Sequence, residues 1–105
     1  MAIERKTFKS EHGFIDYNYS INERYPYGLL IFLGSYVEKD FRGKGIFKYM
    51  VNELFKMFPK ETEVHLAIAN KHLVKYFKRK GFKETNQPLV YWGKPENTTN
   101  MKGYI

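Results

Sequence analysis

The chain has 105 residues, a net charge of +7 and 43% hydrophobic residues, with nine Phe and nine Tyr among them. That length suits one domain with a single core built from large rings, and the hydrophobic content argues against a disordered chain. No cysteine is present, which excludes disulfides, thiolate metal sites and a cysteine nucleophile; the longest apolar stretch, Tyr27 to Val37, is too short to cross a bilayer and no signal region follows Met1, so a cytoplasmic protein with no membrane contact and no metal is expected.

Residues Ala2 to Lys9 form a weak strand candidate, in which Ile3 and Phe8 are the large apolar side chains. Ser10-Glu11-His12-Gly13 reads as a turn, with His12 a turn residue and not a ligand. From Phe14 to Ile21, Ile15, Tyr17, Tyr19 and Ile21 alternate with Asp16, Asn18 and Ser20, the period of a strand with one buried face. Asn22 to Gly28 carries Pro26 and Gly28 in a polar setting and connects to Leu29-Leu30-Ile31-Phe32-Leu33, an apolar run without alternation that suits a strand covered on both faces. It continues through Gly34-Ser35-Tyr36-Val37 into a polar turn. From Lys44 to Phe58, the apolar positions Ile46, Phe47, Met50, Val51, Leu54, Phe55 and Phe58 form a wide stripe at helical spacing, which predicts a helix ending before Pro59.

Val64, Leu66 and Ile68 alternate with His65, Ala67 and Ala69. They predict a strand that runs parallel to the one at 29–37, because a helix joins the two. His65 is either a partly covered surface histidine or a base near an acceptor amine, since imidazole titrates close to neutral pH. Asn70 is a good N-cap for a second helix, whose buried edge is Leu73, Val74 and Phe77 and whose outer face is rich in lysine, with His72 turned to solvent. Gly81 is placed to close that helix. A last strand is expected over Phe82 to Trp92, within a single domain of residues 1–94, and residues 95–105 read as a C-terminal tail.

The turn between the central strand and the first helix carries the functional signal. Gly43 and Gly45 let the backbone turn tightly and approach a ligand, while the N–H groups of the first helical turn and the helix dipole favour an anion. Arg42, Lys44 and Lys48 add positive charge there. Phosphate is the obvious anion, although strand-turn-helix corners with a glycine and a few lysines are also common.

Arg42-Gly43-Lys44-Gly45-Ile46-Phe47 resembles the pyrophosphate-binding signature of the GNAT superfamily of acyl-CoA-dependent N-acyltransferases, with Phe47 in the slot of a small residue. Asn70 to Phe82, an Asn followed by an aromatic and ending in Gly81-Phe82, resembles the later helix of the same family. The resemblance implies an α+β fold with a mixed sheet: antiparallel N-terminal strands, then strand-helix-strand-helix-strand, with two main helices. It implies acetyl-CoA as co-substrate, bound by Tyr36, Val37, Arg42, Gly43, Lys44, Gly45, Ile46 and Phe47 and by Asn70 and Phe77 of the second helix. It also implies a bulge in the central strand and direct attack by an amine. The family's usual general acid is a tyrosine seven residues after the Asn; that slot here is Phe77, so Tyr76, next to it, is the hydroxyl available, and Tyr76 and His65 are the catalytic candidates. Residues 28 to 37 supply no carboxylate base.

Too few residues precede the central strand for the helix pair that walls the acceptor site in the family. The acceptor side is therefore expected to be open, which favours a protein lysine or terminus, or a site completed by a second copy in a homodimer. The leading reading is a minimal N-acetyltransferase. A CoA-binding protein without catalysis is the second, and a nucleic-acid module using the lysines of residues 71 to 80 ranks last, because no aromatic platform accompanies the charge.

Overall fold

Alternation builds the first hairpin. In the computed structural model, which describes residues 4–85 and 98–105, β1 (Lys6–Ser10) and β2 (Gly13–Ser20) pair antiparallel across the turn Glu11-His12. Ile15 and Tyr17 join the core, while Asp16 between them accepts hydrogen bonds from Arg5 and Thr7. β3 (Leu29–Val37) lies antiparallel to β2, and its first four residues are buried, as its unbroken apolar run requires. Asp16 stands opposite Gly34 but Tyr17 stands opposite Phe32, so Leu33 is an extra residue and β3 bulges there.

After a 3-10 turn at Lys39–Phe41, α1 (Ile46–Phe55) buries Met50, Val51, Leu54 and Phe55. It is shorter than the stripe predicted. Met57 N donates to Leu54 O and Phe58 N to Phe55 O, so the chain past Phe55 tightens into turns, with the Phe58 ring against Tyr17 and Tyr19. β4 (Glu63–Ile68) is parallel to β3, as the connecting helix requires. α2 (Lys71–Arg79) buries Phe77, and closes with Gly81 at φ 95° and Phe82 N donating to Phe77 O, a Schellman-type end.

The strand order is β1-β2-β3-β4, followed by β6 (Thr99–Tyr104) and then the short β5 (Lys83–Glu84) at the edge. This is the mixed α+β sheet with two helices. The helices share one face of the sheet, where their buried residues join Leu30, Phe32, Val64, Leu66 and Met101 in one cluster. Alternation turns Ile31, Glu63, His65 and Ala67 to the other face, on which no helix packs among the described residues.

The C-terminus corrects one expectation. Residues 99–104 are not a tail: Thr99–Tyr104 pairs along the whole of β4, from Glu63↔Tyr104 to Ile68↔Thr99, and with β5 on its other side. The pattern was hidden because the core-facing positions are Thr99, Met101 and Gly103, and glycine is required at 103, where a Cβ would lie 2.5 Å from the Phe82 ring. The expected strand Phe82–Trp92 begins as β5, and its part from residue 86 onward lies outside the described residues.

Candidate functional site

β3 and β4 form a parallel ladder only over Leu29–Ile31 against Glu63–His65, and then separate. The separation opens a groove between the strands. Its larger part, a cavity of about 680 Å³, is bounded by Tyr36 and Val37 at the end of β3, by the loop and first turn of α1, and by Ala69, Asn70, His72 and Leu73 at the start of α2. A second cavity of about 230 Å³ lies in the opening itself, against the bulge residues Leu33 and Gly34 and against Ala67 and Ile68 of β4.

The loop has an open helix start, room above it and positive charge beside it. Gly43 and Gly45 have φ of 76° and 81°, the left-handed region that glycine enters without strain, and a Cβ built on either would meet nothing within 4 Å. Gly45 is the N-cap of α1 and no side chain caps that helix, so its first N–H groups are left for a ligand. Gly43, Gly45, Ile46, Phe47, Arg42 and Lys48 all border the larger cavity. Arg42 donates from Nε to Val37 O at 2.9 Å and lies over the Tyr36 ring, which ties the loop to the strand it leaves. Lys44 sits over the Phe41 ring, outside the lining. The Phe47 ring packs edge-on against Phe77 and against the core, so the large residue in a small-residue slot fills space beneath the loop.

A support for this loop was not legible in the sequence. His12, in the β1–β2 turn, stacks on Phe41 with ring centroids 3.5 Å apart, and its Nδ1 pairs with Glu38 at 2.8 Å. Glu38 N donates to His12 O. No local pattern announces these contacts, which depend on the hairpin turn coming to rest beside a loop 26 residues away.

The second helix departs from the expectations. Asn70 borders the cavity, but its Oδ1 accepts from His72 N at 2.8 Å and is thereby a helix cap. His72, expected to face solvent only, borders the cavity. Phe77 is fully buried against Phe47, Tyr76 and Phe82 and does not reach the groove, so its assignment to cofactor binding is corrected to the core. Tyr76 also lies off the groove. Its hydroxyl donates to Asn52 Oδ1 of α1 at 3.3 Å, and Lys48 and Lys80 sit over its ring. Burial holds that phenol above its ordinary pKa, with the Asn52 bond acting in the opposite sense. A hydroxyl turned to the α1 side cannot meet a leaving group between β3 and β4.

His65 is on the helix-free face of β4, 5% exposed, two residues before Ala67, which borders the opening. The expectation of a partly covered surface histidine does not hold. Its Nε2 is 2.5 Å from Glu63 Oε2, and the Tyr25 ring packs on it edge-on. Burial lowers the imidazole pKa, against the raising effect of Glu63, with Lys102 and Arg24 adding to the lowering.

No family model matches the chain, and no curated protein matches it. Solved structures do. Arabidopsis thaliana Naa50 in complex with the bisubstrate analogue CoA-Ac-MVNAL superposes with a TM-score of 0.65 at 19% identity, over 90% of this chain and 66% of that one. Arabidopsis thaliana NAA60 with a bisubstrate analogue gives 0.60 at 18% identity, over 90% of this chain and 64% of that one. The same protein with acetyl-CoA gives 0.60 at 16%, over 89% and 65%. The chain thus spans about two thirds of the length of these neighbours. Its fold is that of the GNAT superfamily, to which Naa50 and Naa60 belong.

Proposed function

We propose that this protein is an acetyl-CoA-dependent N-acetyltransferase that delivers an acetyl group to a primary amine by direct attack. The observation that carries the proposal is the uncapped N-terminus of α1 behind two left-handed glycines, opening on a cavity that continues between β3 and β4. That arrangement suits a pyrophosphate at the helix and an extended arm along the part of β3 that β4 leaves unpaired. The neighbours' complexes with acetyl-CoA and with CoA-peptide analogues support the same ligand class.

In this reading the co-substrate supplies an acetyl group already activated as a thioester. The backbone N–H groups of Ile46 and Phe47, with Arg42 and Lys48, hold the phosphates. The edge of β3 that β4 leaves unpaired, from Tyr36 and Val37 back to the bulge at Leu33, orients the arm and donates to the carbonyl, so that rate comes mainly from positioning and from oriented dipoles. His65 is the base on the side from which an amine arrives. Thiolate protonation falls to water, because Phe77 is in the core and Tyr76 is turned to Asn52. A missing general acid costs about 10²–10⁴-fold and leaves transfer intact. The acceptor side is the helix-free face, open enough for a protein terminus or lysine, or completed by a second copy.

Calorimetry with acetyl-CoA, followed by thiol release with the peptide Met-Val-Asn-Ala-Leu, tests the proposal. Saturable binding with peptide-dependent thiol release is expected. The absence of any heat or thermal shift with excess acetyl-CoA removes it. Binding without transfer to any amine favours the second reading, a CoA-binding protein without catalysis, which the turning of the Tyr76 hydroxyl away from the groove to Asn52 supports. A cytoplasmic location belongs to the proposal as well.

A further inference from the structure

Two buried polar side chains on the helix-free face have atoms with no hydrogen-bond partner among the described residues: His65, at Nδ1, and Asn100, at both Oδ1 and Nδ2. Asn100 is only 1% exposed. Leaving a buried donor or acceptor unpaired forfeits its hydration without replacement, so such atoms are rare in native proteins and call for a reason.

Their placement suggests one. In the β4–β6 ladder His65 stands opposite Lys102 and Ala67 opposite Asn100, which makes His65 and Asn100 diagonal neighbours on one face, at the roughly 7–8 Å spacing usual for such pairs. Ala67, directly across from Asn100, borders the opening between β3 and β4, as does Thr98, two residues before Asn100. The unpaired atoms therefore lie one strand away from the place where the acetyl group would be delivered.

The other side of the imidazole is fixed. An ionised carboxylate only accepts hydrogen bonds, so the 2.5 Å contact with Glu63 places the proton on Nε2 and leaves Nδ1 with a lone pair. Glu63 is held in turn by the Tyr104 hydroxyl at 3.4 Å and by Lys102 at 3.9 Å. Among the described residues, the charged and titratable groups around His65 are thus Glu63 on β4, Lys102 and Tyr104 on β6, and Arg24 and Tyr25 in the loop before β3.

We propose that Glu63, His65 and Asn100 form a proton relay for the acceptor amine, in which Glu63 fixes the tautomer of His65 and Asn100 holds a water against Nδ1. The inference rests on the acetyltransferase reading. In the step, an acceptor ammonium gives one proton to the water held by Asn100, and that water gives one to Nδ1. The resulting imidazolium is stabilised by the Glu63 carboxylate. The free amine forms the C–N bond to the acetyl carbon as the C–S bond breaks, the nitrogen releases its second proton to solvent, and the thiolate leaves and is protonated by water. Asn100 supplies both an acceptor and a donor, which with Nδ1 gives a buried water three partners, the number such waters usually make. Glu63 and Asn100 are positioning residues, acting through His65 and the water.

The test compares wild type with Glu63→Gln and Asn100→Ala, using acetyl-CoA affinity by calorimetry, the pH–rate profile of transfer to Met-Val-Asn-Ala-Leu, and ¹⁵N NMR of the His65 ring. Wild type should carry its proton on Nε2. Glu63→Gln should lose that preference, slow transfer by about 10²-fold at neutral pH, and move the acid limb of the profile to lower pH, because the carboxylate that raises the imidazole pKa is gone. Asn100→Ala should slow transfer with the acid limb unmoved. Both should bind acetyl-CoA as wild type does. Loss of acetyl-CoA binding by wild type strikes the acetyltransferase reading itself. With binding intact, the relay is overturned by an Nδ1–H tautomer in wild type, by absence of transfer to the peptide, or by variants whose rates and acid limbs match wild type.

Discussion

The two helices begin in opposite ways, although both carry the same partial positive charge at the N-terminus. α2 starts from Asn70, extended at φ −83° and ψ 118°, whose side chain accepts from His72 N. α1 starts from Gly45, left-handed at φ 81° and ψ 9°, with no side-chain cap. Both starts border the same cavity. At α2 one backbone donor is already satisfied from within the chain. At α1 the donors are open, the glycines leave room above them, and Arg42 and Lys48 stand beside them. If α1 holds the phosphates as proposed, the missing cap and the empty space are what set its start apart, since the dipole is common to both.

The largest effect should come from the ring that anchors α2. Phe77→Ala should cost about 3–5 kcal/mol in denaturant unfolding, the usual range for truncating a buried ring. A loss below about 1 kcal/mol would mean that α2 is held by its cap and not by its core contact. Next is Gly45→Val, which should abolish acetyl-CoA binding in calorimetry while costing only about 1–2 kcal/mol of stability, the penalty of a left-handed backbone with a side chain. Retained affinity in that variant would erase the distinction between the two helix starts.

Asn70→Ala sharpens the comparison from the other side. It should lower stability by about 1 kcal/mol, as loss of a cap does, with acetyl-CoA affinity little changed. A large loss of affinity at constant stability would make Asn70 a ligand residue after all. The smallest effect is expected from Tyr76→Phe: with its hydroxyl on Asn52, removal should leave the rate of acetyl transfer unchanged in a thiol-release assay. A marked drop in rate would return Tyr76 to the groove.

Periodicity and turn chemistry settled the local structure. The alternation through Ile15, Tyr17 and Tyr19, the Asn70 cap and the Gly81 stop are each local rules with a local cause, and the structure follows them; the stripe from Ile46 to Phe58 gives the helix but overruns its end at Phe55. The glycine turn into α1 was equally legible, because glycine spacing, basic residues and a helix start are all contiguous in the chain. The strand at Thr99–Tyr104 was not. Its core face carries Met101 as its one large apolar side chain, since Gly103 must make room for Phe82, and that demand comes from a residue in another element.

Only tertiary structure could decide what the side chains around the groove do. Tyr76 and Phe77 are adjacent in sequence and 100° apart on an ideal helix, yet which of them faces the groove depends on how α2 lies against α1, and neither does. His65 stayed ambiguous between surface and base until the Tyr25 loop, Glu63 and Lys102 were around it. The opening between β3 and β4 arises where a parallel ladder stops after Ile31 and His65, beside a bulge at Leu33. No residue type encodes that event. The sequence by itself determined most of the elements and the glycine loop, because those follow from neighbours along the chain; the groove's depth, the burial of His65 and the placement of Tyr76 and Phe77 away from the groove came from contacts that only the folded chain makes.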